Sequence, residues 1–208
     1  GLVALNPDGT VRSDGSKALE TYGPADIAGL AKVFTGWSWA CPEWPDNSCF
    51  FGGSANGNSD PDRSFNSMLG YPQYHSVEEK QFLGAVIPAQ APSDPQASLK
   101  VALDALAAHP NVGPFIGRQL IQRLVTSNPS AQYVASVSAA FSGSGGDMKA
   151  MLRAVLMHPE ARRSLPTDGK LREPVLKLSA FLRAFGHSSE SGNWRIGNTD
   201  SSGSALGQ

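Results

Sequence analysis

A mainly α fold is predicted by three observations. Proline or a capping residue heads each of several apolar segments, those segments repeat at three- and four-residue steps, and most of them lie in the second half of the chain. Residues 1–92 read differently, broken by turn formers and carrying both cysteines and three of the four tryptophans. The expected architecture is therefore a helical bundle of about five to six helices over 93–186. An irregular, loop-rich N-terminal lobe over 1–92 precedes it, with one amphipathic helix and a disulfide. A flexible or truncated tail over 187–208 follows, where the composition turns to Ser, Gly and Asn.

Gly1 to Leu5 reads either as a short strand or as the end of a helix that began upstream. Asn6-Pro7-Asp8-Gly9 is a turn, and Val11 to Leu19 a polar connection. Pro24 opens a helix in which Ile27, Leu30, Ala31 and Phe34 form one apolar face, with Gly36 placed as a left-handed stop. Pro88 to Gln96 marks the internal boundary. Asp94-Pro95 starts a helix with Leu99, Leu103 and Leu106 inward, and His109-Pro110 ends it.

The central helix follows. Asn111 is an acceptor for its orphan N–H groups, and Pro114 sits where a missing donor costs little. Val112, Ile116, Leu120 and Leu124 make its stripe, widened by Phe115 and Ile121, while Gly113 and Gly117 would admit a neighbouring backbone or simply pack loosely. Asn128-Pro129 begins a helix with Tyr133, Val134, Val137 and Phe141 inward, broken by Ser142 to Gly146. Asp147 caps a helix carrying Met148, Met151, Leu152, Val155 and Leu156. Pro174 begins the last, with Val175, Leu178, Leu182 and Phe185 on one face and Gly186 as its stop.

Composition limits the function. The chain is 40% hydrophobic but only 17% charged, with 22 glycines and 15 prolines, so loops and neutral polar groups cover much of the surface. A net charge of −1 gives no electrostatic footprint for nucleic acid. No apolar run approaches the roughly 18 residues of a membrane span. The sequence opens on Gly1 and closes on Gly203 to Gln208 without a capping element, which leads us to expect a piece of a longer protein.

Four groups of residues could carry chemistry. Cys41 and Cys49 close a short loop with no CxxC spacing and no histidine nearby; a disulfide is expected, with two reduced thiols as the alternative. Trp37, Trp39 and Trp44 beside it suit a stacking surface for carbohydrate, or else the small core of a loop lobe. Asn56, Asn58, Asp60 and Asp62 offer oxygen ligands at alternate positions, as calcium would require. Pro61 and Ser67 depart from the EF-hand pattern, and a solvated turn is the other reading. His75 and Lys80, with Glu78 and Glu79 between them, could form an acid–base cluster or a hydrogen-bonded loop clasp.

Taken in order, Thr35-Gly36-Trp37, His75 with Lys80 before Leu83-Gly84, Leu103-Asp104 leading to His109-Pro110-Asn111, Phe115-Ile116 with Arg118, Gly146-Asp147, and Lys170 to Pro174 resemble the bacterial family called domain of unknown function 1800. The resemblance covers nearly all of the chain. It implies a mostly helical, exported bacterial protein of which this is an internal or C-terminal-half segment, located in the periplasm, at the cell surface or outside the cell. The family pattern has His-Asp where this chain has His75-Ser76, which removes a carboxylate that could orient the imidazole. The resemblance brings no reaction with it.

Two function classes follow. The first is a structural or binding component of the cell envelope or secreted material, a helical scaffold whose tryptophan loop contacts other envelope or secreted proteins or a polysaccharide. It is favoured because no G-x-S-x-G, H-E-x-x-H, P-loop or dinucleotide motif is present. The alternative is an exported hydrolase with His75 or His109 as base and Lys80, Arg118 or Arg123 holding an anionic intermediate. Against it, His109-Pro110 recurs as His158-Pro159 at a second helix end, the pattern of an inter-helix cap, and the arginines could instead bridge to carboxylates such as Asp104. No cofactor is expected beyond the calcium possibility.

Overall fold

The computed structural model describes residues 2–163, 173–190 and 192, and over these it is mainly α. The helices are α1 (Pro24–Val33), α2 (Pro95–Ala107), α3 (Val112–Leu124), α4 (Ala131–Gly143), α5 (Met148–Met157), α6 (Pro159–Arg162) and α7 (Pro174–Ala184). Strands of two or three residues are β1 (Ser13–Asp14), β2 (Lys17–Ala18), β3 (Trp37–Ser38), β4 (Ser54–Ala55), β5 (Asn58–Ser59), β6 (Leu69–Gly70), β7 (Lys80–Phe82) and β8 (Ala85–Ile87). They form the antiparallel pairs β1–β2, β3–β6, β4–β5 and β7–β8. No helix of the described residues is long and apolar enough to cross a membrane.

Helix starts follow local chemistry. Asp94 Oδ1 accepts from the Ala97 N–H at 2.9 Å, and Asp147 Oδ1 from that of Lys149 at 2.8 Å. α4 begins after Ser130, whose Oγ accepts from Tyr133 N at 3.1 Å, a little later than Asn128-Pro129 suggested. Gly36 has φ +78°, although α1 itself ends at Val33. The expected polar connection from Val11 to Leu19 is instead an arm of paired backbone. Val3 bridges Glu20, Leu5 bridges Val11, and β1 pairs with β2. Segments this short are held by backbone pairing and leave no two-residue hydrophobic period to read.

Three apolar clusters result. α3, α4 and α5 share one, built on Ile121, Tyr133, Val134, Val137, Phe141, Met151 and Val155. The Tyr133 hydroxyl donates to the Val155 carbonyl, and burial, with the charge of Glu160 adding to it, pushes the phenol up to about 12. α1, α2 and the β7–β8 hairpin share a second, made of Val33, Phe82, Ile87 and Ala102, so apolar packing joins residues on both sides of position 92. The third surrounds Cys41, Cys49, Ala55 and Tyr71 in the loop region.

The faces that pack are smaller than the apolar stripes predicted. On α2 the buried residues are Pro95, Ser98 and Ala102, while Leu103 is 53% exposed. On α3 they are Gly113, Pro114, Gly117 and Ile121, with Leu124 51% exposed. A Cβ on Gly113 would stand 2.7 Å from Ser138 Oγ, and one on Gly117 3.0 Å from Val137 Cγ1. The two glycines therefore let α4 approach closely, and loose packing is excluded. Likewise a Cβ on Gly29 of α1 would fall 1.8 Å from the Gln81 carbonyl oxygen of β7. In α7, Val175, Leu178 and Leu182 are half-buried and Phe185 is exposed. Of the expected tail, only 187–190 and 192 lie within the described residues.

Candidate functional site

The apolar stripe of α1 enters a core only in part, through Leu30, which packs against the cluster around Val33. Ile27 is 57% and Phe34 51% exposed, and with Leu30 and Ala31 they form one wall of a cleft of about 580 Å³. The facing wall is the first turns of α3, with Val112, Phe115 and Ile116, because Gly113 and Gly117 turn the opposite side of that helix to α4. Leu106 of α2, Leu83 of the β7–β8 turn, and Leu2 and Tyr22 of the N-terminal arm complete the lining. Two stripes predicted as core thus face each other across open space.

The polar residues at this cleft fix its shape. Asp26 Oδ2 accepts from Gly23 N at 2.8 Å and Oδ1 from Leu83 N at 2.7 Å, tying the start of α1 to the hairpin turn. These two N–H groups hold its carboxyl below the usual carboxylate range. Asn111 makes no side-chain cap on α3, contrary to expectation. Its Oδ1 accepts from Leu5 N at 2.7 Å and its Nδ2 donates to the Val3 carbonyl at 3.1 Å. His109 braces the turn before α3, its Nδ1 accepting from Asn111 N at 3.1 Å. His158 repeats this, accepting from Glu160 N at 3.2 Å while its ring stacks on Tyr133 at 4.1 Å. Each neutral imidazole then carries its proton on Nε2.

His75 and Lys80 meet elsewhere, in a buried polar network. His75 is 5% exposed; its Nδ1 lies 2.9 Å from the Thr35 carbonyl oxygen and its Nε2 2.9 Å from Ser98 Oγ. Since a carbonyl only accepts, Nδ1 bears the proton. Ser98 Oγ is also 2.9 Å from Gln90 Oε1, so its single proton serves one of these two neighbours at a time. Lys80, fully buried, donates to the Ser76 carbonyl at 2.8 Å, that of Glu78 at 3.1 Å and Gln90 Oε1 at 3.3 Å. Burial, reinforced by the charge of Lys32 and opposed by that of Glu78, holds its ammonium below the usual lysine range. The geometry is that of a loop clasp: it closes 76–78 over the hairpin.

No hydrogen bond or ion pair among the described residues joins this network to His109 or the arginines. Arg118 is exposed, with its Cδ 3.9 Å from where a Cβ on Gly9 would stand. Arg123 pairs with Glu173, and Asp104 with Lys100 at 2.5 Å, so neither arginine bridges to Asp104 as expected. Sequence reasoning missed Thr35, Gln90 and Ser98. They lie far from His75 along the chain, and Ser98 looks like any other serine in a helical first turn.

In the loop region the Sγ atoms of Cys41 and Cys49 lie at bonding distance, with Cα atoms 5.8 Å apart. Rings packed beside them are Phe50, Tyr71 and Tyr74, not the tryptophans. Trp39 and Trp44 are 45% and 43% exposed; the Trp44 indole donates to the Gly70 carbonyl at 3.1 Å, while that of Trp37 is buried with no partner among the described residues. The oxygen-rich stretch forms turns. Asn56 has φ +50° in the β4–β5 turn, and Asn58 donates to Glu43 Oε1 at 2.6 Å. Asp60 accepts from Asp62 N at 2.8 Å and Asn66 Nδ2 at 2.7 Å. Among the described residues no group of three or more His, Cys, Asp or Glu is placed to hold a metal ion.

No curated protein and no solved structure matches the chain. A family model, described as a protein of unknown function (DUF1800), matches residues 10–208. That match takes in α1, the clasp around His75 and Lys80, the His109–Asn111 brace and every helix that follows, and the chain belongs to the DUF1800 family.

Proposed function

We propose that this chain is a binding component of exported bacterial material, with the cleft between α1 and α3 as its ligand site. The observation that carries this reading is the pair of apolar helix faces held apart across about 580 Å³, within the size range of small-molecule sites. Filling it removes apolar surface from water at about 25 cal/mol per Å². In this reading the helices act together as a bundle-like scaffold, and the loop lobe with exposed Trp39 and Trp44 is a second contact surface for a polysaccharide or a secreted protein. The paired cysteines fit an oxidising compartment, consistent with export.

Titration with the neutral fluorophore N-phenyl-1-naphthylamine tests the cleft. Saturable enhancement is expected for the native chain and its loss for Ile27→Lys, which places a charge on the cleft wall without touching a core. A linear, unsaturable response, or equal binding by the variant, would refute the site.

One observation favours the hydrolase reading: Ser98 Oγ, His75 Nε2 and the Thr35 carbonyl line up as nucleophile, base and orienting acceptor. Both side chains are buried, so a substrate would need the clasp to open. Stoichiometric labelling of Ser98 by a fluorophosphonate would favour hydrolysis; an unlabelled Ser98 favours the clasp.

A further inference from the structure

We infer that the cleft takes an uncharged, lipid-like molecule with one hydrogen-bond acceptor, of the chemistry of an alkyl ester, and that His109 Nε2–H is the donor that holds it. This rests on the cleft being a ligand site and goes on to say what enters it.

Both Asp26 oxygens are engaged by backbone N–H groups, and both polar atoms of Asn111 by Leu5 and Val3. Thr21 Oγ1 donates to the Leu2 carbonyl at 2.9 Å. Tyr22 stands at the exposed rim. His109 differs from these. Its Nδ1 lone pair is occupied by Asn111 N–H, which places the ring proton on Nε2, and no hydrogen bond from that proton is found among the described residues. On a half-buried ring that lines the cleft, a donor left open in this way favours a ligand that supplies an acceptor.

Charge decides the rest. Among the described residues no lysine or arginine lines the cleft, and Asp26 is the carboxylate that does. An anionic head group would meet that carboxylate with no cation to compensate, so a free fatty acid is disfavoured relative to its ester. An ammonium gains less at Asp26 than at a free carboxylate, since a backbone N–H already bonds each of its oxygens.

The test is displacement of bound N-phenyl-1-naphthylamine by methyl octanoate, octane, octanoate and octylamine at pH 8. Methyl octanoate is expected to compete about fivefold better than octane, the effect of one neutral hydrogen bond, with both charged ligands weaker than the ester. His109→Asn keeps an acceptor for Asn111 N–H and lacks the distal donor, so it should lose the preference for the ester over octane. His109→Gln, which restores an N–H near the Nε2 position, should recover part of that preference. An unchanged ester preference in His109→Asn, or tighter binding of octanoate than of its ester, overturns the inference while leaving the cleft as a binding site. Displacement that survives Ile27→Lys refutes the cleft itself. Self-association abolished by Ile27→Lys, with no displacement by any of the four compounds, would assign the cleft to a second copy of the chain and also overturn the inference.

Discussion

Asn111 holds Leu5 at 2.7 Å across a separation of 106 residues, and the same side chain binds Val3. One amide thus takes the place of a strand partner and fixes the N-terminal arm at the edge of the cleft. Asn111→Ala leaves a half-buried N–H and carbonyl unpaired, and a loss of about 1–2 kcal/mol is expected in urea unfolding. Amide exchange at Leu5 should rise in step. Asn111→Asp keeps the acceptor and should lie between; wild-type stability in Asn111→Ala would show that the arm docks without it.

Gly29 is a point of contact between backbones. With 1.8 Å between its virtual Cβ and the Gln81 carbonyl oxygen, Gly29→Ala must push β7 off α1, at a cost of about 3 kcal/mol or more. Gly143→Ala, with nothing within 4 Å, serves as the comparison and should be near neutral. Equal melting temperatures for the two variants would contradict the close approach.

The Cys41–Cys49 pair spans a sequence separation of 8. Intact mass should rise by about 2 Da on reduction. Loop-closure entropy for a ring this small predicts a loss of about 2.5 kcal/mol in the Cys41→Ser, Cys49→Ser double variant. No mass change would remove the support for an oxidising compartment.

Asp26 gives a pH signature. Its folded carboxyl lies below the ordinary 3.8, so the stabilisation it provides is complete above that value and is lost as the pH falls through the lower, folded pKa. Asp26→Asn should unfold with a weaker pH dependence below about pH 4 than the native chain. Parallel acid-unfolding curves would count against its two backbone bonds.

Helix positions were legible because their signals are local. Asp94, Asp147 and the paired prolines state where a helix starts, and of the two His-Pro pairs His158 caps a helix while His109 braces the turn before one. Stripe orientation was not. A 3,4 pattern reports which side of a helix is apolar but not what lies opposite, so Ile27 and Phe34 read as core although they face a cleft. The true contact faces are carried by Gly29, Gly113, Gly117 and Ala102, residues whose smallness leaves no trace in a hydrophobic pattern. The His75 network was half visible. The clasp reading needed only His75 and Lys80, but Thr35, Gln90 and Ser98 join them through chain reversals that no single sequence encodes locally.

Lys80 has one more consequence. Its amine is surrounded by oxygen atoms of Ser76, Glu78 and Gln90 and is fully buried, whereas Lys100 lies in solvent on α2, paired with the exposed Asp104. An amine-reactive reagent should therefore acylate Lys100 within minutes and spare Lys80 for as long as the clasp stays shut. The modification rate of that one lysine becomes a clock for opening of the hairpin against α1, readable by peptide mass spectrometry without introducing a mutation.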